Sequence, residues 1–413
     1  MPSAALLLLL LRILPNMRKF YTLLLLLTCL VSPLTLSVAH AQDLTEEWSV
    51  RVWSAASDGK WDVVETLFET VPEGSSEMLK VFRSDLALFK QHRKEEQNSN
   101  TLARKEALTE MRGFAKEAKV MQAMQSAIKA QTLSKDINTV LYDEGTQQVL
   151  SEVKESIQSN TDNGNLLVAQ TLAFYLRTFY EDTARRDLYE LWKKRHEEIA
   201  TDAMLLRYYA PVYHHELWSE QAILRGDDPP DPFQEKTKDL WKERVDDIST
   251  FMVIQSLRKA EAEHMDQISW KELLVGGLES VRRIGGLPEL AETFPKLNEA
   301  ELRASWQATI DEETQSIPQY LRHISGHKTL VQLLKRILAA NDGSLELPQS
   351  VLLREFGDGA MSKLDRYSAI VWPNEKRQFD QATEGNFVGV GIVIRESPTG
   401  EILVVNPIDG APA

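Results

Sequence analysis

From residue 44 to about residue 345, apolar side chains recur three and four positions apart, Glu, Lys, Gln, Leu and Ala are frequent, and glycine and proline are sparse. A chain patterned in this way buries one stripe of each helix against its neighbours, so it folds as a stack of helices. The pattern changes only in the last thirty residues, where glycine and β-branched residues crowd together and strands become the preferred state. The expected fold is therefore mainly α: a long multi-helix amino-terminal region followed by a few strands. With 413 residues, 43% of them apolar and 26% charged, the chain is long enough for more than one core. Asp and Glu number 61 against 47 Lys and Arg, a balance that argues against a general nucleic-acid binder, since such proteins neutralise phosphates with basic side chains.

Residues 1–41 read as a signal peptide. They hold Arg12, Arg18 and Lys19 and no acidic residue. Met17-Arg18-Lys19 supplies a positive start, residues 20–30 an apolar stretch, and Ala39-His40-Ala41 a small-x-small cleavage site before Gln42. The upstream apolar run, residues 4–14, is shorter than the roughly 20 residues a membrane-crossing helix needs, which makes Met17 a more natural start than Met1. The expected location is exported and periplasmic, with membrane association through an uncleaved segment as the other reading. Cys29 is the only cysteine, so cleavage after Ala41 leaves no thiol for disulfides, nucleophilic catalysis or metal ligation.

Two helical regions are expected in the mature chain, residues 42–226 and 233–345. The first opens with a helix pair: Trp48, Val52, Trp53 and Ala56, a turn at Gly59-Lys60-Trp61, then Val64, Leu67 and Phe68, closing at Val71-Pro72. Its spacing resembles one tetratricopeptide-type unit, although a generic helical hairpin reads the same way. Residues 101–129 put Met111, Phe114, Ala118, Met121, Gln125 and Ile128 on one stripe, which predicts a single long helix with a core-packing face. Further helices are expected over residues 166–203 and 237–264, the latter with Trp241, Val245, Ile248 and Met252 in heptad-like spacing. Asp227-Asp228-Pro229-Pro230-Asp231-Pro232 between them cannot continue a helix. Residues 270–278 and 351–360 each read as an apolar helix carrying small residues at its centre, where glycine permits close helix approach.

After a linker at residues 346–384, the last segment carries the most specific signal. Leu364-Asp365-Arg366-Tyr367-Ser368 is followed by Phe379, then by Gly385-Asn386-Phe387-Val388-Gly389-Val390-Gly391-Ile392-Val393-Ile394, then by Ile402-Leu403-Val404-Val405-Asn406-Pro407-Ile408-Asp409-Gly410-Ala411-Pro412-Ala413. Order and spacing resemble the tail-specific (carboxyl-terminal processing) serine protease family. There a Leu-Asp-Pro-Tyr-Ser-type motif precedes a Phe-x-Gly-Ile-Gly-Ile strand that opens a PDZ domain, and a Pro-x-x-Gly-[Ser/Ala]-Pro-Ala turn follows. Arg366 stands where the family usually has proline. The resemblance implies that residues 385–413 are the start of a PDZ domain, incomplete at Ala413. It further implies that Gly389, Val390, Gly391 and Ile392 hold the free carboxylate of a bound peptide, which adds to the strand edge. Partners on this reading are protein or peptide substrates with apolar carboxyl termini, not nucleic acid, and the helical region is the surface available for a homo-oligomer.

The family cuts with a serine activated by a lysine, both beyond the PDZ domain, so no catalytic residue can be assigned between Met1 and Ala413. Ser-x-x-Lys occurs at Ser57/Lys60, Ser126/Lys129, Ser151/Lys154, Ser256/Lys259 and Ser325/Lys328, in unrelated surroundings that point to chance. His214-His215-Glu216 and the His323/His327 pair form no His-Glu-x-x-His motif, and no metal or other cofactor is expected. The competing reading is a non-catalytic periplasmic helical adaptor or scaffold that binds peptides or protein partners.

Overall fold

The computed structural model describes residues 39–58, 60–70, 77–265, 268–319, 321, 323–365, 367–383, 390–396 and 402–407. Sixteen α-helices and one two-stranded antiparallel sheet lie among them, so the chain is mainly helical. Residues 1–38 of the expected signal peptide lie outside the described residues, while Ala39 to Ala41 begin the first helix. No described helix is long and apolar enough to cross a membrane. The chain divides into two compact units, residues 1–98 and 99–413.

In the first unit, α1 (Ala39–Ser57) and α2 (Trp61–Glu69) pack as a helical pair on Trp48, Val52, Ala55, Val64, Leu67 and Phe68. The Trp48 indole donates to the Leu67 carbonyl at 2.7 Å and meets Phe68 edge-on, so a polar tip and a large apolar body are satisfied together. Gly59 and residues 71–76, the turn and stop of the predicted pair, lie outside the described residues.

The second unit has one contiguous core running from Ala107 to Trp372. The single helix expected over residues 101–129 is instead two: α3 (Glu77–Lys116) ends and α4 (Val120–Thr132) begins across a turn in which Ala118 takes φ +56°. A left-handed alanine costs about 1–2 kcal/mol. The turn offsets it by bringing Met111 and Met121, both buried, into the same core. After α5 (Asn138–Leu141), α6 (Glu144–Asp162) starts under an Asp143 cap whose carboxylate accepts from the Thr146 amide at 3.1 Å. The aromatic-rich stretch forms α7 (Leu166–Tyr180) and α8 (Arg186–Tyr209), packed on each other, and α9 (Pro211–Arg225) follows.

Residues 227–234 form the irregular segment that the prolines require. The helix expected over residues 237–264 is also interrupted: α10 (Leu240–Arg244) is short, Asp247 takes φ +60°, and α11 (Thr250–Glu263) restarts under a Ser249 cap. Val245 at the break is buried, so its apolar spacing is met by a turn between two helices.

The two small-residue segments become α12 (Trp270–Ile284) and α15 (Gln349–Met361), with α13 (Ala300–Ser316) and α14 (His323–Asp342) between them. α12 and α15 cross in close contact at their glycines. A Cβ on Gly276 would lie 2.5 Å from the Gly359 carbonyl oxygen, and one on Gly359 would lie 2.5 Å from that of Gly276. Buried tryptophans use glycines in the same way: Trp270 lies against Gly326, Trp306 against Gly285 and Trp372 against Gly357. α16 (Pro373–Thr383) then leads towards β1 (Ile392–Glu396) and β2 (Ile402–Pro407).

Candidate peptide-binding strand and its buried anchor

β1 and β2 pair antiparallel with Ile392 opposite Pro407 and Glu396 opposite Ile402, and the register slips between Val393 and Ile394 so that Val405 has no direct partner. Of the four residues expected to hold a peptide carboxylate, Gly389 lies outside the described residues. Val390 is exposed, Gly391 is buried with φ +78°, and Ile392 opens β1. That φ belongs to the left-handed region, which glycine enters without the steric cost a side chain would add. Apolar side chains project from both strands into solvent: Val393 and Ile394 on β1, and Ile402, Leu403, Val404 and Val405 on β2. Among the described residues β1 pairs with β2 alone, so its other edge offers a row of backbone donors and acceptors. Two strands by themselves bury too little to be stable in water, and these bury almost nothing.

A segment fastened at several points precedes the hairpin. Within the Leu364 to Ser368 motif, the Asp365 carboxylate accepts from the Tyr367 amide at 2.7 Å and pairs with the His264 ring at 3.1 Å. These hydrogen bonds, the backbone one first, hold the Asp365 pKa below its ordinary value. Ile370 and Trp372 point inward and are buried, whereas Tyr367 and Val371 face solvent. The Trp372 indole donates to Asp358 at 2.7 Å, and its amide donates to Glu375 at 3.2 Å.

Beneath Trp372 lies a buried ionic cluster that sequence reasoning missed. Arg354 and Glu355 stand side by side on α15 with 4% and 5% of their surface exposed, where fully buried charges are rare unless paired. Arg354 donates to Asp358 at 3.1 Å, to the Arg244 carbonyl at 3.0 Å and to Glu375. Glu355 accepts from the Tyr209 hydroxyl at 2.7 Å. The Arg244 guanidinium lies over the Tyr208 ring at 3.5 Å and approaches Asp358 at 3.5 Å. Burial, then the nearby Asp358 charge, pushes the Glu355 pKa up to about 6. Burial raises the Asp358 pKa as well, and burial followed by the Glu355 charge raises Tyr209. The sequence signal, visible only in hindsight, is the Arg354/Asp358 pair one helical turn apart on an otherwise apolar helix.

Beside the cluster opens a cleft of about 360 Å³ between Trp241, Val245 and Ile248 on one side and Pro348 and Ser350 on the other. Asp246 and Asp247, which also line it, are held by Arg377 of α16 at 3.6 and 3.2 Å. A second group of strained acids lies further along the body. Asp202 is raised by burial despite its 2.9 Å pair with Arg283, and Glu289 is raised by burial, with the Asp202 charge adding to it.

Lys60, Lys129 and Lys259 of three Ser-x-x-Lys matches pair with Asp58, Glu110 and Glu263 rather than with their serines. Burial first, then the Arg207 charge, lowers the His214 pKa to about 4, and the His215 ring is 2.7 Å from the Asp231 carbonyl oxygen. No group of three or more metal-ligating side chains occurs among the described residues. In comparisons with known proteins, no family model, curated protein or solved structure matches the chain.

Proposed function

We propose that this chain is the amino-terminal part of an exported serine endopeptidase of the carboxyl-terminal processing type. On this reading the β1/β2 hairpin begins a PDZ domain that selects substrates by an apolar carboxyl-terminal tail. The observation that carries it is a glycine-led strand, Gly391 at φ +78° entering β1, with one edge unpaired among the described residues and apolar side chains exposed on both strands of the hairpin. Such a strand can accept a peptide as an additional strand, and exposed apolar surface on both strands suits a sheet that further strands and a helix would cover. The helical body and the fastened segment at residues 364–383 then position the recognition strand, and this chain alone contributes binding but no nucleophile.

The test is proteolysis by the product of the complete reading frame. An unfolded substrate ending in a free apolar tail is degraded, and the same substrate with a charged tail is spared. Equal degradation of both, or of neither, overturns the proposal.

A second reading, a periplasmic helical adaptor, is favoured by the core of residues 99–383, which is continuous without the hairpin. It is tested by limited proteolysis: a resistant helical fragment that captures partners without the hairpin supports it, and dissolution of this region argues against it.

A further inference from the structure

We infer that residues 370–377 form a strap that latches onto a charged seat in the helical body, and that proton uptake by Glu355 in the seat tightens the latch. The strap is two-faced. Ile370 and Trp372 plug the body while Val371 between them is 67% exposed, so two apolar anchors hold the segment and the polar contacts beside them are what a change of pH can reach. Three contacts converge on α15: two polar ones, Trp372 to Asp358 and Glu375 to Arg354, and the packing of the Trp372 ring on Gly357, where a side chain on the helix would take its place.

Counting charge gives the direction of the switch. The titratable and charged groups acting on Glu355 are Asp358 and Arg354 of α15, Tyr209 of α8 and Arg244 of α10; Tyr208 lies under the Arg244 guanidinium, and Glu375 on the strap reaches the seat through Arg354. The buried positions of α11 and α12 around α15 are apolar, among them Val253, Leu257, Leu274 and Leu278. With Glu355 ionised, two arginines face two carboxylates and the seat is neutral. With Glu355 protonated the seat carries one net positive charge, and the Glu375 carboxylate that the strap brings is attracted to it. Docking acts in the same direction from the other side: it brings the Glu375 carboxylate to Arg354, and one more negative charge in the seat makes a neighbouring carboxyl hold its proton more tightly. Proton binding and strap docking therefore favour each other. Arg377, two residues beyond Glu375, attaches the strap to Asp246 and Asp247, and these three are not among the groups acting on Glu355.

The latch does not depend on what the hairpin binds, so its test leaves the protease proposal untouched. Hydrogen exchange of the full chain is followed by mass spectrometry at pH 5.5 and 7.5, with times corrected for the intrinsic rate. The readout is the first turn of α16, where the Lys376 amide bonds the Trp372 carbonyl at 2.8 Å. Protection there is expected to be about three- to tenfold greater at pH 5.5, within the tenfold that one unit of pKa change allows. Glu355→Gln, which keeps the seat positive, should show the higher protection at both pH values. Glu375→Gln, a change at the exposed end of the cluster that serves even if the first variant does not fold, should lose most of the pH dependence. Equal wild-type protection at the two pH values, or greater protection at pH 7.5, overturns the inference, as does a Glu375→Gln variant with undiminished pH dependence.

Discussion

Replacing Glu355 by glutamine should make the protein more stable at neutral pH, although it removes a charged residue with a good hydrogen bond. The carboxyl is fully enclosed, and its pKa in the fold is about 6 against an ordinary 4.5. Because the folded state holds this proton more tightly than the unfolded chain, the group's favourable contribution is complete below 4.5 and is lost as pH rises through 6. At about 1.4 kcal/mol per unit, the loss amounts to roughly 2 kcal/mol above both values. Glutamine has no charge to desolvate and can still accept from Tyr209. Urea unfolding of wild type and Glu355→Gln at pH 5 and pH 8 should show the variant gaining about 1.3 kcal/mol relative to wild type between the two, with most of the gain complete by pH 6. Parallel pH profiles for the two proteins would show that the cost of the buried charge does not lie at this residue.

Trp372→Ala should destabilise by about 3–5 kcal/mol, read by thermal unfolding, since it empties a fully buried site and strips Asp358 of its indole donor. Gly359→Val should cost about 3 kcal/mol or more, because even a Cβ there meets Ser280 and the Gly276 carbonyl oxygen; unchanged stability would mean that α12 and α15 do not cross as described. Asp143→Ala should cost about 1 kcal/mol through loss of the α6 cap, with Asp143→Asn recovering most of it. Gly391→Val should disfavour the turn into β1, where φ is +78°, and weaken peptide binding without altering the melting of the helical body.

The helical body, the strands at the end and the presence of glycines that permit close helix approach were legible in the sequence because each rests on local signals, period and residue type, whereas which two helices meet at those glycines was not. The breaks at Ala118 and Asp247 were not. Alanine is the best helix former, and nothing in its neighbourhood reports that α3 and α4 must double back to share a core. At the second break, the run from Asp246 to Ser249 does contain turn and cap residues, and the heptad-like apolar spacing masked them. The ionic seat was hidden for a different reason. Arg354 and Glu355 look like a solvated pair until Arg244 and Tyr209, more than a hundred residues away, are folded over them. Burial of this kind is a property of the tertiary arrangement, and no window of sequence carries it.

The proposed recognition takes place at the strand that Gly391 opens. Two peptides identical in an apolar carboxyl-terminal sequence, one ending in a carboxylate and the other in an amide, can be titrated by fluorescence anisotropy against the product of the complete reading frame. Main-chain N–H groups gripping the terminal carboxylate predict at least about tenfold tighter binding of the first, a difference of roughly 1.4 kcal/mol. Indistinguishable affinities would contradict the claim.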